Sequence, residues 1–182
     1  MTNSLNEFLV SSDNDQELIL LGPGNIKIPD KRELDKITEL GKIKVMCYTW
    51  NVAERNQGSI NAIIHSFSSI DIDDRPNIIS IALQELPPSD KTFHINLVKQ
   101  LTEAFKTTHY ILSWVRRWSQ MQIVIVKNNL KNFILSFSYK WIPSKYVSKP
   151  IRTKGCITIF IKILHLSCAF ISCHFSRMLI IF

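Results

Sequence analysis

A layered α/β fold with mixed sheets and flanking helices is what this 182-residue chain predicts. Three observations carry the prediction. Two apolar runs of strand length, 43–49 and 77–83, enclose a segment with helical apolar spacing, and a second helical stripe follows at 93–106. From residue 110 onward the chain reads as consecutive strands, with no third helical stripe. Strand, helix, strand, helix and then strands is the element order of a mixed-sheet layer fold. Apolar content of 46% against 20% charged residues places the chain among packed domains rather than disordered ones.

The elements follow in order. Residues 1–16, rich in Ser, Asn and Asp, read as a tail, and 1–41 as a leader to a domain at 42–182. Glu17 to Leu21 has strand character, stopped by Gly22-Pro23-Gly24. Asp30 and Glu33 have capping-box spacing ahead of an apolar stripe at Leu34, Ile37 and Leu40, and Gly41 stands where that leader helix would end. Ile43 to Thr49 is the first core strand, closed by Trp50-Asn51-Val52. Asn56 to Gly58 reads as a loop, and Ser59 as the cap of a helix with Ile60, Ile63, Ile64 and Phe67 on one face. A polar connector, Asp71 to Pro76, leads into the second core strand, Asn77 to Leu83, which stops at Gln84-Glu85-Leu86 before Pro87-Pro88. A helix over Phe93 to Lys106 places Leu97, Val98, Leu101, Ala104 and Phe105 on one side. The remaining strands are Tyr110 to Val115, Met121 to Lys127, Phe133 to Trp141, Cys156 to Leu164 and Ser167 to His174.

Lys162, His165, His174 and Arg177 interrupt the apolar stretch 157–182, so buried strands are expected there rather than a transmembrane helix. Cys47, Cys156, Cys168 and Cys173 lack metal-type CxxC spacing, and no signal peptide opens the chain. The expectation is a cytoplasmic protein with reduced thiols, used as small core residues. Charge is segregated. Residues 1–103 hold 10 basic and 15 acidic side chains, whereas 104–182 hold 12 basic and none acidic. Such a basic second half points to an anionic partner, the plain alternative being a solvated basic face.

Glu85 and Asn51 stand at the ends of two apolar strands. A hard cation such as Mg²⁺ takes oxygen ligands, commonly one or two carboxylates plus substrate phosphate, so the pair suits phosphate-ester chemistry. The plain alternatives are a Glu opening an exposed loop and a turn-forming Asn.

Five segments in order carry a resemblance: Thr49-Trp50-Asn51-Val52, Asn77-Ile78-Ile79 to Gln84-Glu85, Trp118 with Met121 to Val126, Thr153-Lys154-Gly155-Cys156, and Phe170-Ile171-Ser172-Cys173-His174. Together they resemble the inositol polyphosphate 5-phosphatases of the endonuclease/exonuclease/phosphatase superfamily, over residues 42–176. The resemblance implies the first part of a DNase I-like four-layer α/β sandwich, left incomplete. It implies Mg²⁺ on Glu85, Asn51 and His174 steadying the scissile phosphate, and Lys154 with Arg152 meeting further ring phosphates, helped by Lys145 and Lys149, for which a solvated loop is the stronger reading. His174 keeps a second reading as an ordinary strand-end histidine. The implied partner is a phosphoinositide lipid or soluble inositol polyphosphate at a peripheral membrane surface, with nucleic acid unexpected. Departures from the family pattern are Asn77, Ser172 and Phe175, together with Met178 to Phe182. The family's later Gly-Asp-x-Asn and Asp-His segments have no counterpart, since no acidic residue follows Glu103. The expectation is therefore a chain without appreciable phosphatase activity that folds poorly alone. The alternatives are a catalytically silent phosphoinositide-binding or scaffold module, and a nuclease.

Overall fold

The computed structural model describes residues 21–22, 26–27, 32, 35, 38, 41–54, 57–87, 89–143 and 154–175. In chain order the elements are β1 (Leu21–Gly22), β2 (Ile26–Lys27), β3 (Val45–Asn51), α1 (Gln57–Ser68), β4 (Ile78–Gln84), α2 (Phe93–Phe105), β5 (His109–Arg117), β6 (Gln120–Lys127), a 3-10 turn (Asn128–Phe133), β7 (Ile134–Pro143), β8 (Gly155–Ile163) and β9 (Leu166–His174). They build a four-stranded sheet ordered β3-β4-β6-β5, a three-stranded sheet β7-β8-β9, and the small β1-β2 ladder.

Alternation along β4 and β6 divides the interior into two cores. Ile79, Ile81 and Leu83 of β4, with Met121, Ile123 and Ile125 of β6, face the helices and meet Ile60, Ile63 and Phe67 of α1 and Phe93, Leu97, Leu101 and Phe105 of α2. Ile78, Val124 and Val126 point the other way, onto Ile157, Ile159, Ile161, Ile163 and Phe170 of the second sheet. Strands covered on both faces need continuous apolar runs, and β4 and β6 have them. The layers are thus helices, sheet and sheet.

The helices begin and end for local reasons. At α2, Asp90 Oδ1 accepts from the backbone N–H of Thr92 (2.8 Å) and of Phe93 (2.9 Å), tying down amides that have no partner within the helix. Between the helices and β4, the buried Arg75 spans the connector, donating to Thr108 Oγ1 at 3.2 Å with its guanidinium 5.1 Å from the Phe105 ring centroid. His109 fixes the same corner through Nε2, 2.8 Å from the carbonyl of Pro76.

Several expectations need correction. β3 is an edge strand, not a buried one. Met46, Tyr48 and Trp50 pack on the helical core while Val45, Cys47, Thr49 and Asn51 are exposed, so Cys47 is not a core residue. The second sheet packs on β4 and β6, and among the described residues no β3 side chain belongs to that second core. Helix α1 starts at Gln57, inside the expected loop, and Ser59 is buried within its first turn rather than capping it. The 3-10 turn takes Phe133 out of the expected strand, and β2 was not anticipated because a two-residue strand has no periodicity to read. The expected strand at 17–20, most of the leader helix at 30–41, Arg152 with Lys145 and Lys149, and 178–182 lie outside the described residues.

The outer face of the second sheet presents exposed apolar side chains. Ile142, Phe160 and Ile171 stand 51%, 44% and 63% exposed there, which is the layer a complete four-layer sandwich would cover. An Ile171→Lys change should raise solubility, read by light scattering, while shifting stability by no more than about 0.5 kcal/mol. Ile159→Ala, fully buried between the sheets, should cost about 2–5 kcal/mol by denaturant midpoint.

Candidate active site

The parallel pairing of β3 and β4 sets Asn51 opposite Gln84, so both strands release their next residues at the same end of the sheet. In open α/β sheets the carboxyl ends of parallel strands form the natural crevice for ligands. The backbone fastens this end tightly. Val52 N donates to Gln84 O (2.8 Å), Glu54 N to Glu85 O (2.7 Å), and Leu86 N to Ser119 O in the β5–β6 turn (2.9 Å). Glu85 itself has φ of 53°, a left-handed backbone that an L side chain adopts at a cost of roughly 1–2 kcal/mol. That strain is held by the three hydrogen bonds around it and turns the carboxylate out at the rim.

Four side chains meet there. Asn51 Oδ1 accepts from Ala53 N at 2.9 Å, which fixes the amide and leaves its NH₂ facing Glu85. The hydrogen bond from Asn51 is the main reason the Glu85 carboxyl lies below the usual range, with Lys154 and His174 adding to it. Lys154 Nζ lies 3.6 Å and His174 Nε2 3.4 Å from Glu85 Oε1. These two come from the other sheet, where Gly155 pairs with His174 across β8 and β9, so the residue entering β8 stands beside the one leaving β9. Lys154 Nζ approaches His174 Nε2 to 2.5 Å. Burial first, and the lysine second, hold His174 below its ordinary value, so its neutral ring accepts from the ammonium group. Gly155 is required by close approach: a Cβ there would lie 2.5 Å from Ile142 O and 2.6 Å from the Trp141 ring.

Of the residues singled out in the sequence, Asn51, Glu85, Lys154 and His174 are thus gathered within one cluster, and Arg152 lies outside the described residues. Four others carry no site role in the sequence reading. Gln84 is buried and donates to Thr49 Oγ1 at 3.1 Å, bracing the two strand ends. Arg116 donates to the carbonyls of Pro87 (3.0 Å), Asp90 (3.1 Å) and Trp118 (3.2 Å), holding the loop after Glu85 against the β5–β6 turn. Gln122 and Ser172, buried, leave Oε1 and Oγ respectively without a hydrogen-bond partner among the described residues. A glutamine within the apolar run 121–126 was the readable signal; Arg116 offered none, because the acceptors that tie it to the loop are the backbone carbonyls of Pro87 and Asp90, distant in sequence.

Helices on one sheet, a second sheet behind it and a polar cluster at the rim where the sheets meet define a protein of the DNase I-like α/β sandwich class. The chain belongs to the endonuclease/exonuclease/phosphatase family 2, whose sequence model matches residues 48–179. Among solved structures it is similar to the inositol polyphosphate 5-phosphatase domain of SPsynaptojanin, described in complex with inositol (1,4)-bisphosphate and calcium ion. That match has 12% identity and a TM-score of 0.58, covering 74% of this chain and 40% of that one. It is equally similar to the Cimex nitrophorin ferrous NO complex, at 13% identity and TM-score 0.58, covering 74% of this chain and 47% of that one. At these identities the likeness is one of fold, and the chain spans less than half the length of either structure. No curated protein sequence matches it.

Both perturbed groups make the protein acid-sensitive. Below about pH 6.5 the unfolded chain protonates its histidine while His174 in the folded chain resists. Further down, the unfolded carboxyl takes a proton before Glu85 does. Stability should therefore fall on acidification through this window. In Glu85→Gln, where the carboxylate no longer favours the imidazolium, the His174 ring should titrate lower still, as NMR of its ring protons would record. Relief of the φ strain should leave Glu85→Gly about 1 kcal/mol more stable than Glu85→Ala in denaturant unfolding.

Proposed function

We propose that this chain carries the phosphate-binding part of an inositol polyphosphate phosphatase site that works with Mg²⁺. The observation supporting it is the convergence of Asn51, Glu85, Lys154 and His174 from two sheets on one rim. Glu85 fits a hard cation: its carboxyl is ionised at neutral pH and a third exposed, and Mg²⁺ commonly takes one or two carboxylates plus phosphate and water. Bound there, the ion would polarise a phosphoryl oxygen and offset its charge. Lys154 supplies a mobile positive charge to the phosphate, and drawing it away from His174 frees Nε2. Asn51, its oxygen held by Ala53, keeps an N–H directed into the cluster and orients the bound group. Arg152, two residues before Lys154, is assigned to further ring phosphates, and the basic second half to a phosphoinositide surface.

Proton abstraction from an attacking water is the missing step, since residues 104–182 contain no carboxylate to act as general base. These 182 residues should accordingly bind without appreciable turnover, and the full reaction is proposed for a longer chain that supplies the base. The same gap favours a second reading, a catalytically silent phosphoinositide-binding module.

Calorimetric titration with a soluble inositol polyphosphate tests the reading. Binding should weaken about tenfold or more in Lys154→Ala, the loss of one hydrogen bond to a charged group. Affinity should rise with Mg²⁺ in the parent and lose that rise in Glu85→Ala. Binding insensitive to both substitutions would discard the site. Rapid EDTA-sensitive phosphate release by the 182 residues alone would show that the base lies within them.

A further inference from the structure

Cys156 and Cys173 are register partners on β8 and β9, and their sulfurs lie 2.9 Å apart. Both are half-buried, on the outer face of the sheet opposite the side that carries Gly155 and His174. Directly opposed residues of an antiparallel pair have Cα separations of about 4.5–5.5 Å, within the range a disulfide spans. Two cysteines seated this way need only side-chain rotation to bond. The remaining two are differently placed: Cys47 is exposed on edge strand β3, and Cys168, opposite Ile161, belongs to the inner face.

We propose that Cys156 and Cys173 form a reversible dithiol–disulfide pair, an oxidation site that staples together the strand ends bearing Lys154 and His174. The oxidant is a low-molecular-weight disulfide of the glutathione type. One protein thiolate attacks it, releasing one glutathione thiolate and leaving a mixed disulfide. The second protein thiol then displaces the other glutathione, so one S–S bond is exchanged for another, two electrons leave the protein, and the two thiol protons pass to the released thiolates. Burial, with the hydrogen bond and nearness of Cys156, pushes Cys173 up to about 11, so this thiol is protonated at neutral pH and exchange through it is slow. The position gives the bond a consequence. Cys156 follows Gly155, which pairs with His174, and Lys154 comes just before, so the staple closes one register step from the cluster on Glu85.

The test equilibrates the 182-residue chain in buffers of oxidised and reduced glutathione, alkylates free thiols, and maps tryptic peptides by mass spectrometry. Cleavage after Lys154 and Lys162 puts Cys156 on 155–162 and both Cys168 and Cys173 on 163–177, so the same map of Cys168→Ser assigns the bond. The expected product joins Cys156 to Cys173, persists in Cys168→Ser, disappears in Cys173→Ser and is reversed by dithiothreitol. In urea, pairing should shift to Cys168–Cys173, the nearer pair along the chain. Hydrogen exchange of the amides at 155–157 and 172–174 should slow on oxidation of the native chain. The proposal is overturned if native and urea-unfolded protein give the same pairing, or if Cys156 and Cys173 yield only separate glutathione adducts as Cys47 does. Unchanged exchange in a chain that does form the bond would overturn the stapling.

Discussion

Everything at the candidate site depends on one pairing, the parallel ladder between β3 and β4 from Val45↔Ile78 to Asn51↔Gln84. Had the two strands run antiparallel, Asn51 and Glu85 would leave the sheet at opposite ends. Parallel strands need a crossover between them, and α1 is that crossover, with Ile60, Ile63 and Phe67 packed on the sheet it spans. The helix is therefore a condition of the site although it contributes no side chain to it. The second sheet enters through the opposite face of β4, where burial of Ile78 with Val124 and Val126 against β8 and β9 brings Lys154 and His174 to the same rim.

The fold was legible where apolar spacing is regular. The stripes of α1 and α2 and the continuous runs of β4 and β6 could be read because burial on a defined face dictates each residue there. Edge strands gave less: β3 is less uniformly apolar than β4 yet still reads as a core strand, and its exposed alternate residues show only in the structure. Of the candidate site, Asn51 and Glu85 were legible from their places at strand ends, whereas Lys154 and His174 were legible only through motif order, because they meet Glu85 only through sheet-on-sheet packing. The Arg116 contacts to Pro87, Asp90 and Trp118 were not legible at all, since a backbone carbonyl acceptor has no sequence signature.

A fold of this class does not fix a chemistry. A phosphatase domain and a nitrophorin lie at the same structural distance from this chain, so function has to be argued from the rim groups. What distinguishes this rim is its balance: one strained carboxylate, one oriented amide, one ammonium and one neutral imidazole, each holding another. Lys154 serves as counter-charge to Glu85 within this set, and the proposed anion site rests on that contact being exchangeable.

The hydrogen bond from Leu86 N to Ser119 O carries a mechanical consequence. It hands the position of Glu85 to the β5–β6 hairpin, a ladder running unbroken apart from one bulge between Ile111 and Ser113. Arg116 of the same hairpin holds the carbonyls of Pro87 and Asp90, and Asp90 in turn ties down the first amides of α2. One hairpin end thus serves as a common anchor for the acid and for the start of the helix, so a disturbance of the hairpin would be felt at both.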